Sequence, residues 1–229
     1  MSFNRSVRRS VLAAALTTAV VSTFALPLAG PLAGPLGVEA APATARSAQS
    51  KPRQADAVAD EAARALALAQ RYQETGDAAS LESFEQALDA VAVSIAGRLL
   101  LDPVAMQQAW SEADFDHQTA LAAALSQLGV PYRRNTSKPG VSFDCSGLTT
   151  YAWAQAGFEI TRQSTAQIRA AEPRDLETAM AGDLVQYPGH VMMYLGVDRA
   201  VVHSVMPGRP VEVDVVKPKR NLKFGDPSN

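Results

Sequence analysis

A chain of 229 residues, 47% of them hydrophobic, is long enough to bury one substantial core with room for a small second unit. Its 21 basic and 23 acidic residues nearly cancel, to a net charge of −2, and no basic stripe marks it as a nucleic-acid binder. With only one cysteine it can form no internal disulfide, so Cys145 is free, pairs between chains or does chemistry.

Residues 1–45 open with Arg5, Arg8 and Arg9, continue with an apolar run from Val11 to Leu26, and end in the small residues "VEAAPATA". Basic head, apolar middle and small-residue exit are the parts of a secretory signal peptide. Cleavage after Ala40, Ala43 or Ala45 fits equally, and "RRSVL" hints at twin-arginine export. The run is short for a bilayer span of about 20 residues, and threonines and serines dilute it. An uncleaved anchor is the alternative. No cysteine follows the run to carry a lipid. Without residues 1–45 the chain holds 18 basic and 22 acidic residues.

Residues 46–54 read as linker, continuing a Pro/Gly/Ala/Ser-rich stretch from residue 27. In the region 55–112, Val58, Ala62, Ala65, Ala69 and Tyr72 recur at helical spacing, and "TGD" at Thr75–Asp77 stops that helix and caps the next. Leu81, Phe84, Leu88, Val91 and Ile95 repeat the pattern, predicting an antiparallel helical hairpin, with a short third segment from Pro103 to about Ser111. The acidic excess lies entirely before residue 113, with 6 basic against 10 acidic over residues 46–112, while residues 113–229 balance at 12 and 12. Acidic helices of this kind could close as a lid over Arg133, Arg134 and Lys138. The plainer reading is a spacer or stalk.

From residue 113 the texture changes. "HQTALAAALSQLG" predicts a helix ending at Gly129, and "DCSGLTTYAWAQAG" a second one stopped by Gly157. Beyond Ala181, "DLVQY", "HVMMYLG", "AVVHSV" and "VEVDVV" read as strands separated by turns. Helices first and antiparallel strands afterwards argue an α+β domain over 113–219, with 220–229 as a tail and "KPKRNLK" as a solvated end.

Asp144 is placed to cap the helix that Cys145 opens. The dipole there favours an anion, the form in which a thiol is a nucleophile. Small Ser146 and Gly147 would let a substrate backbone approach and leave the first amides free for an oxyanion. A thiolate also needs a base, itself oriented by a third group. His190 projects from the Pro188-Gly189 turn and His203 lies inside a valine strand, so a hairpin through "GVDR" would bring the two imidazoles face to face. His117, at the start of a distant helix, reads as a surface residue. Each of these residues also has a bland reading, the cysteine as a small buried hydrophobe and a strand histidine as a satisfied core residue. One cysteine and three histidines could fill a zinc site, but their scattered spacing lacks the short-range pairs such sites use.

The order "PY", "DCSGL", "GDLV", "GHV-x-x-YLG" over about residues 115–216 resembles the NlpC family of papain-like cysteine peptidases of bacterial cell walls. The resemblance implies a papain-like α+β domain, helices packed on an antiparallel sheet, preceded here by the helical hairpin. It implies Cys145 as nucleophile, His190 as base and His203 as the residue orienting it, with Tyr132 helping to stabilise the oxyanion. It places Asp144 and Ser146 where some members hold the free amino end of a stem peptide, and Arg162 near the cleft. The implied activity is hydrolysis of a peptidoglycan stem-peptide amide, most directly D-glutamyl–diaminopimelate, by a secreted monomer without cofactor or metal. An amidase or acyl transferase on the same scaffold, or a wall-binding module, are the alternatives. The chain departs from the family pattern at Arg133, Arg134 and Asn135, where a tryptophan and paired glycines are frequent, and in the short "QYP" before "GHV".

Overall fold

The computed structural model describes residues 52–228; the predicted signal peptide and most of the predicted linker lie outside them. Asp56 caps the first helix, α1 (Ala57–Thr75), its carboxylate accepting the N–H groups of Val58 and Ala59. Gly76 ends α1 at φ 68°, and Asp77 caps α2 (Ala78–Leu99) one residue later, as the "TGD" stretch predicts. Asp102 and Pro103 start α3 (Pro103–Glu112), where proline's missing N–H costs nothing. Asp114 starts α4 (Phe115–Leu125). This helix stops four residues before Gly129, because Ser126–Leu128 turn through tighter bonds and the Gly129 N–H is taken by the Val211 carbonyl.

A two-residue pair, β1 (Ser137–Lys138) and β2 (Ser142–Phe143), precedes α5 (Cys145–Gln155). After α6 (Ser164–Ala170) come β3 (Glu172–Arg174), β4 (Leu184–Tyr187), β5 (His190–Tyr194), β6 (Ala200–Ser204), β7 (Val211–Val215) and β8 (Lys223–Asp226). They form one antiparallel sheet in the order β3-β8-β4-β5-β6-β7. The predicted tail at 220–229 is therefore corrected: β8 lies between β3 and β4, with Phe224 and Asp226 buried. Four residues of periodicity are too few to reveal a strand whose partners lie elsewhere in the chain.

The sheet is covered on both faces. Leu184, Val191, Met193 and Val202 face the helices, while Val185, Met192, Tyr194, Val201 and Phe224 form a second cluster behind. Double burial explains why "HVMMYLG" reads as an unbroken apolar run.

The hairpin is joined to the sheet domain through one continuous core. Ala62, Phe84, Ile95 and Trp110 belong to the same buried cluster as Leu121, Leu148 and Leu184. Trp110 Nε1 donates to the Leu195 carbonyl at 2.8 Å, and Arg53 donates to the carbonyls of Ser126 and Leu128. α1 packs on α4, and α2 on α3 and β7. Gln70 bonds Gln155 at 2.9 Å, at the C-terminal end of α5, about 15 Å along the helix from Cys145. No ion pair among the described residues joins the hairpin to Arg133, Arg134 or Lys138. The side-chain bond from α1 to the sheet domain runs to Gln155. No helix among the described residues is long and apolar enough to cross a membrane.

Candidate active site

Cys145 opens α5 as a half-buried free thiol. Asp144 caps the helix, its Oδ1 accepting the Gly147 N–H at 2.8 Å, while its Oδ2 accepts the Asn135 N–H at 2.7 Å and so ties down the preceding loop. The reason for Gly147 differs from the one expected. A Cβ there would lie 2.1 Å from the Thr136 carbonyl oxygen, so the position is small to let the loop backbone cross the helix, not to admit substrate. The N–H groups of Cys145 and Ser146 make no backbone hydrogen bond among the described residues, and they remain available for an oxyanion.

Ser146, Asp144 and Arg162 come together beside the thiol. Arg162 Nη1 donates to Ser146 Oγ at 2.7 Å, and its Nη2 lies 2.8 Å from Asp144 Oδ1. With Asn135, Gln163 and Ser164 they line an open cleft of about 430 Å³. Tyr132 adjoins the cysteine segment through a parallel bridge to Phe143. Burial, followed by the negative charges of Cys145 and Asp144, pushes its phenol above the usual value, so it remains a hydrogen-bond donor.

His190 begins β5 directly after Gly189, whose φ of 85° makes the sharp entry. β5 and β6 pair with Met193 opposite Val202 and Tyr194 opposite Val201. Continuing that register puts His203 beside Met192, so the two imidazoles meet diagonally, two residues apart along the ladder. His190 Nε2 lies 3.0 Å from His203 Nδ1, and both side chains are buried. Tyr187 sits across from His190 with ring centroids 5.2 Å apart, and the Arg220 guanidinium lies 4.4 Å above the Tyr187 ring. Burial, reinforced by the charges of His203 and Arg220, pushes the His190 imidazole down to about 3. His190 therefore rests as a neutral imidazole, and not as the imidazolium of a standing ion pair.

α5 packs across β5 and β6, which sets the thiol's helix against both histidine strands. Ser204 Oγ donates to the Phe143 carbonyl at 2.9 Å, linking the strand of His203 to the residue two before Cys145. No hydrogen bond joins Cys145 Sγ to His190 among the described residues. Catalytic hydrogen bonds often shorten only when substrate binds. Two neighbours have no counterpart in the sequence reading, Ser204 and Glu212. Glu212 stands directly opposite His203 on β7, its Oε1 3.6 Å from His203 Nε2. The alternation in "VEVDVV" announces a strand, but only the strand register pairs its glutamate with a histidine.

His117 is a correction. It is fully buried, not a surface residue, with Nδ1 2.8 Å from Asp114 Oδ1 and Nε2 3.1 Å from Asp183 Oδ1 and 3.4 Å from Asp226 Oδ1. Burial opposes its charge, but the bonds to Asp183 and Asp114 prevail and raise its pKa to about 9. His117, Asp183 and Asp226 are the group of described residues placed to share a cation, and Cys145 is not among them.

Fold and site together define an α+β domain with a cysteine at the N-terminus of a helix that packs on a sheet whose strands carry paired imidazoles. Comparison with known proteins narrows the class. Residues 129–222 match the model of the NlpC/P60 family, in line with the order of the motifs. A probable endopeptidase of Mycobacterium tuberculosis is 37% identical over 101 residues, 43% of this chain and 26% of that protein. A bifunctional muramidase/DL-endopeptidase of Bacillus subtilis is 35% identical over 88 residues, 35% of this chain and 27% of that protein. The P60 domain of a Mycobacterium avium subspecies paratuberculosis antigen, a solved structure, is 29% identical with a TM-score of 0.42, covering 54% of this chain and 98% of that one. The chain thus spans about a quarter of the length of these curated relatives.

Proposed function

We propose that the protein is an exported peptidoglycan endopeptidase that hydrolyses a stem-peptide amide through Cys145, with D-glutamyl–diaminopimelate as the bond cleaved. The observation that carries this reading is the 3.0 Å pair of His190 and His203 on the sheet against which the Cys145 helix packs. A pure binding module has no use for a neutral buried imidazole in that place. The name DL-endopeptidase borne by the Bacillus relative supports the choice of bond.

In this reading the Cys145 thiol passes its proton to His190 as sulfur attacks the carbonyl carbon. The Cys145 and Ser146 N–H groups and the Tyr132 phenol hold the oxyanion. His190 returns the proton to the leaving amine, and the amide C–N bond breaks to leave a thioester. His190 then takes a proton from water as the oxygen attacks the thioester, the C–S bond breaks to release the acid, and His190 returns the proton to the sulfur to restore the thiol. Asp144, Ser146 and Arg162 line the cleft that receives the peptide.

The test is digestion of purified cell wall, with mass analysis of the fragments. New amines from diaminopimelate are expected, at a rate that falls by at least about 1000-fold in Cys145→Ser and in His190→Ala, as for members of other catalytic triads. Transfer of the acyl group to an added amine in preference to water would instead establish an acyl transferase. A Cys145→Ser protein that keeps more than about a tenth of the rate would sink the thiol mechanism.

A further inference from the structure

His203 Nε2 is buried without a hydrogen-bond partner and lies 3.6 Å from Glu212 Oε1 on the directly paired residue of β7. An unsatisfied buried polar atom is costly, and one this near a carboxylate oxygen is a bond not fully closed. The separation exceeds a hydrogen bond by a few tenths of an ångström. Arg209 holds the same carboxylate from its exposed side through both oxygens, with Nε 3.2 Å from Oε2 and Nη2 2.5 Å from Oε1.

The ring nitrogens say what closing it does. A neutral imidazole has one N–H and one bare nitrogen. To take the thiol proton at Nδ1, His190 must carry its own hydrogen on Nε2, the atom 3.0 Å from His203 Nδ1. His203 Nδ1 must then be the acceptor, which leaves the His203 hydrogen on Nε2, aimed at Glu212. The opposite tautomers would set a bare Nε2 lone pair against a carboxylate oxygen and leave the His190 hydrogen where the base is needed.

We propose that Glu212 is a positioning residue that accepts the His203 Nε2–H and thereby locks both imidazoles in the tautomers that leave His190 Nδ1 free as the base. Burial works against the charge of Glu212, but His203 and Arg209 outweigh it and hold its carboxyl below the usual range. It is therefore an ionised acceptor at neutral pH. Partners that orient a functional histidine from behind are worth about 10- to 100-fold in metal sites, and a similar effect is expected here.

The inference rests on the proposed Cys145–His190 chemistry, but its first test does not. In the wild-type protein without substrate, 15N NMR of the histidine rings at neutral pH should show the His203 proton on Nε2 and the His190 proton on Nε2. Glu212→Leu should shift the His203 proton toward Nδ1 and lower kcat by about 10- to 100-fold with KM little changed. Glu212→Gln, whose side-chain carbonyl still accepts, should keep the wild-type tautomer and most of the rate. A wild-type His203 protonated on Nδ1, or a Glu212→Leu protein with an unshifted tautomer, overturns the proposal. So does a Glu212→Gln protein as slow as Glu212→Leu. A wild type that digests no wall would defeat the functional reading alone, and the ring protons would still decide the role of Glu212.

Discussion

At the scale of single residues the two buried histidine environments run in opposite directions. His190 has few partners for a positive charge, so burial keeps it neutral, whereas His117 is bonded to carboxylates that outweigh its burial. The second case has a consequence for stability. His117 titrates near 9 in the folded protein against about 6.5 in the unfolded chain, so the folded state holds a proton that the unfolded state releases. Its contribution is fully present below about 6.5 and is lost as pH rises through 9, a change on the order of 3 kcal/mol. Thermal unfolding measured from pH 6 to pH 10 should show this decline, and His117→Gln should be less stable at pH 6 with a flatter profile. Parallel profiles for the two proteins would mean that His117 carries no such proton.

At the scale of elements the informative piece is β8. It fills the sheet between β3 and β4, and Arg174 on β3 holds Asp226 at 2.9 Å. A chain ended after Arg220 loses the partner of two strands and leaves their backbone groups exposed as open edges. It also removes Asp226 from beside His117 and Phe224 from the rear cluster. Such a chain should be insoluble or bind hydrophobic dyes, whereas trimming a solvated tail would leave the melting temperature unchanged. Circular dichroism and dye binding decide between the two outcomes.

For the whole molecule the helical hairpin matters most. Ala120, Ala123 and Ala124 on α4 are fully buried, and α1 packs against α4 together with α5. Phe84 is likewise fully buried and meets Phe115 with ring centroids 5.5 Å apart. A chain beginning at Ser111 would expose this surface and lose the Trp110 bond to Leu195. It should melt earlier and aggregate, and it should not cleave wall faster, as removal of a lid would require. Phe84→Ala in the full chain should cost about 3 to 5 kcal/mol by chemical denaturation. An Ser111 chain that is stable and faster would restore the lid.

Local chemistry alone determined much of this protein. The aspartate caps, the stop at Gly76, the helix opened by Cys145 and the four strands from "DLVQY" to "VEVDVV" follow from propensities and periodicities that act within a few residues. The histidine pair was legible as a possibility, because the strand around each residue and the turn between them are local signals. Long-range pairing decided the rest. β8 is only four residues long and takes its place from β3 and β4, so nothing in its own pattern declares it. Gly147 is small because of Thr136, eleven residues away, and not because of a ligand. His117 becomes a buried cation only when Asp183 and Asp226 arrive from distant strands. Glu212 reaches His203 only through the register of β6 on β7, since a slip of one residue would turn the carboxylate to the other face.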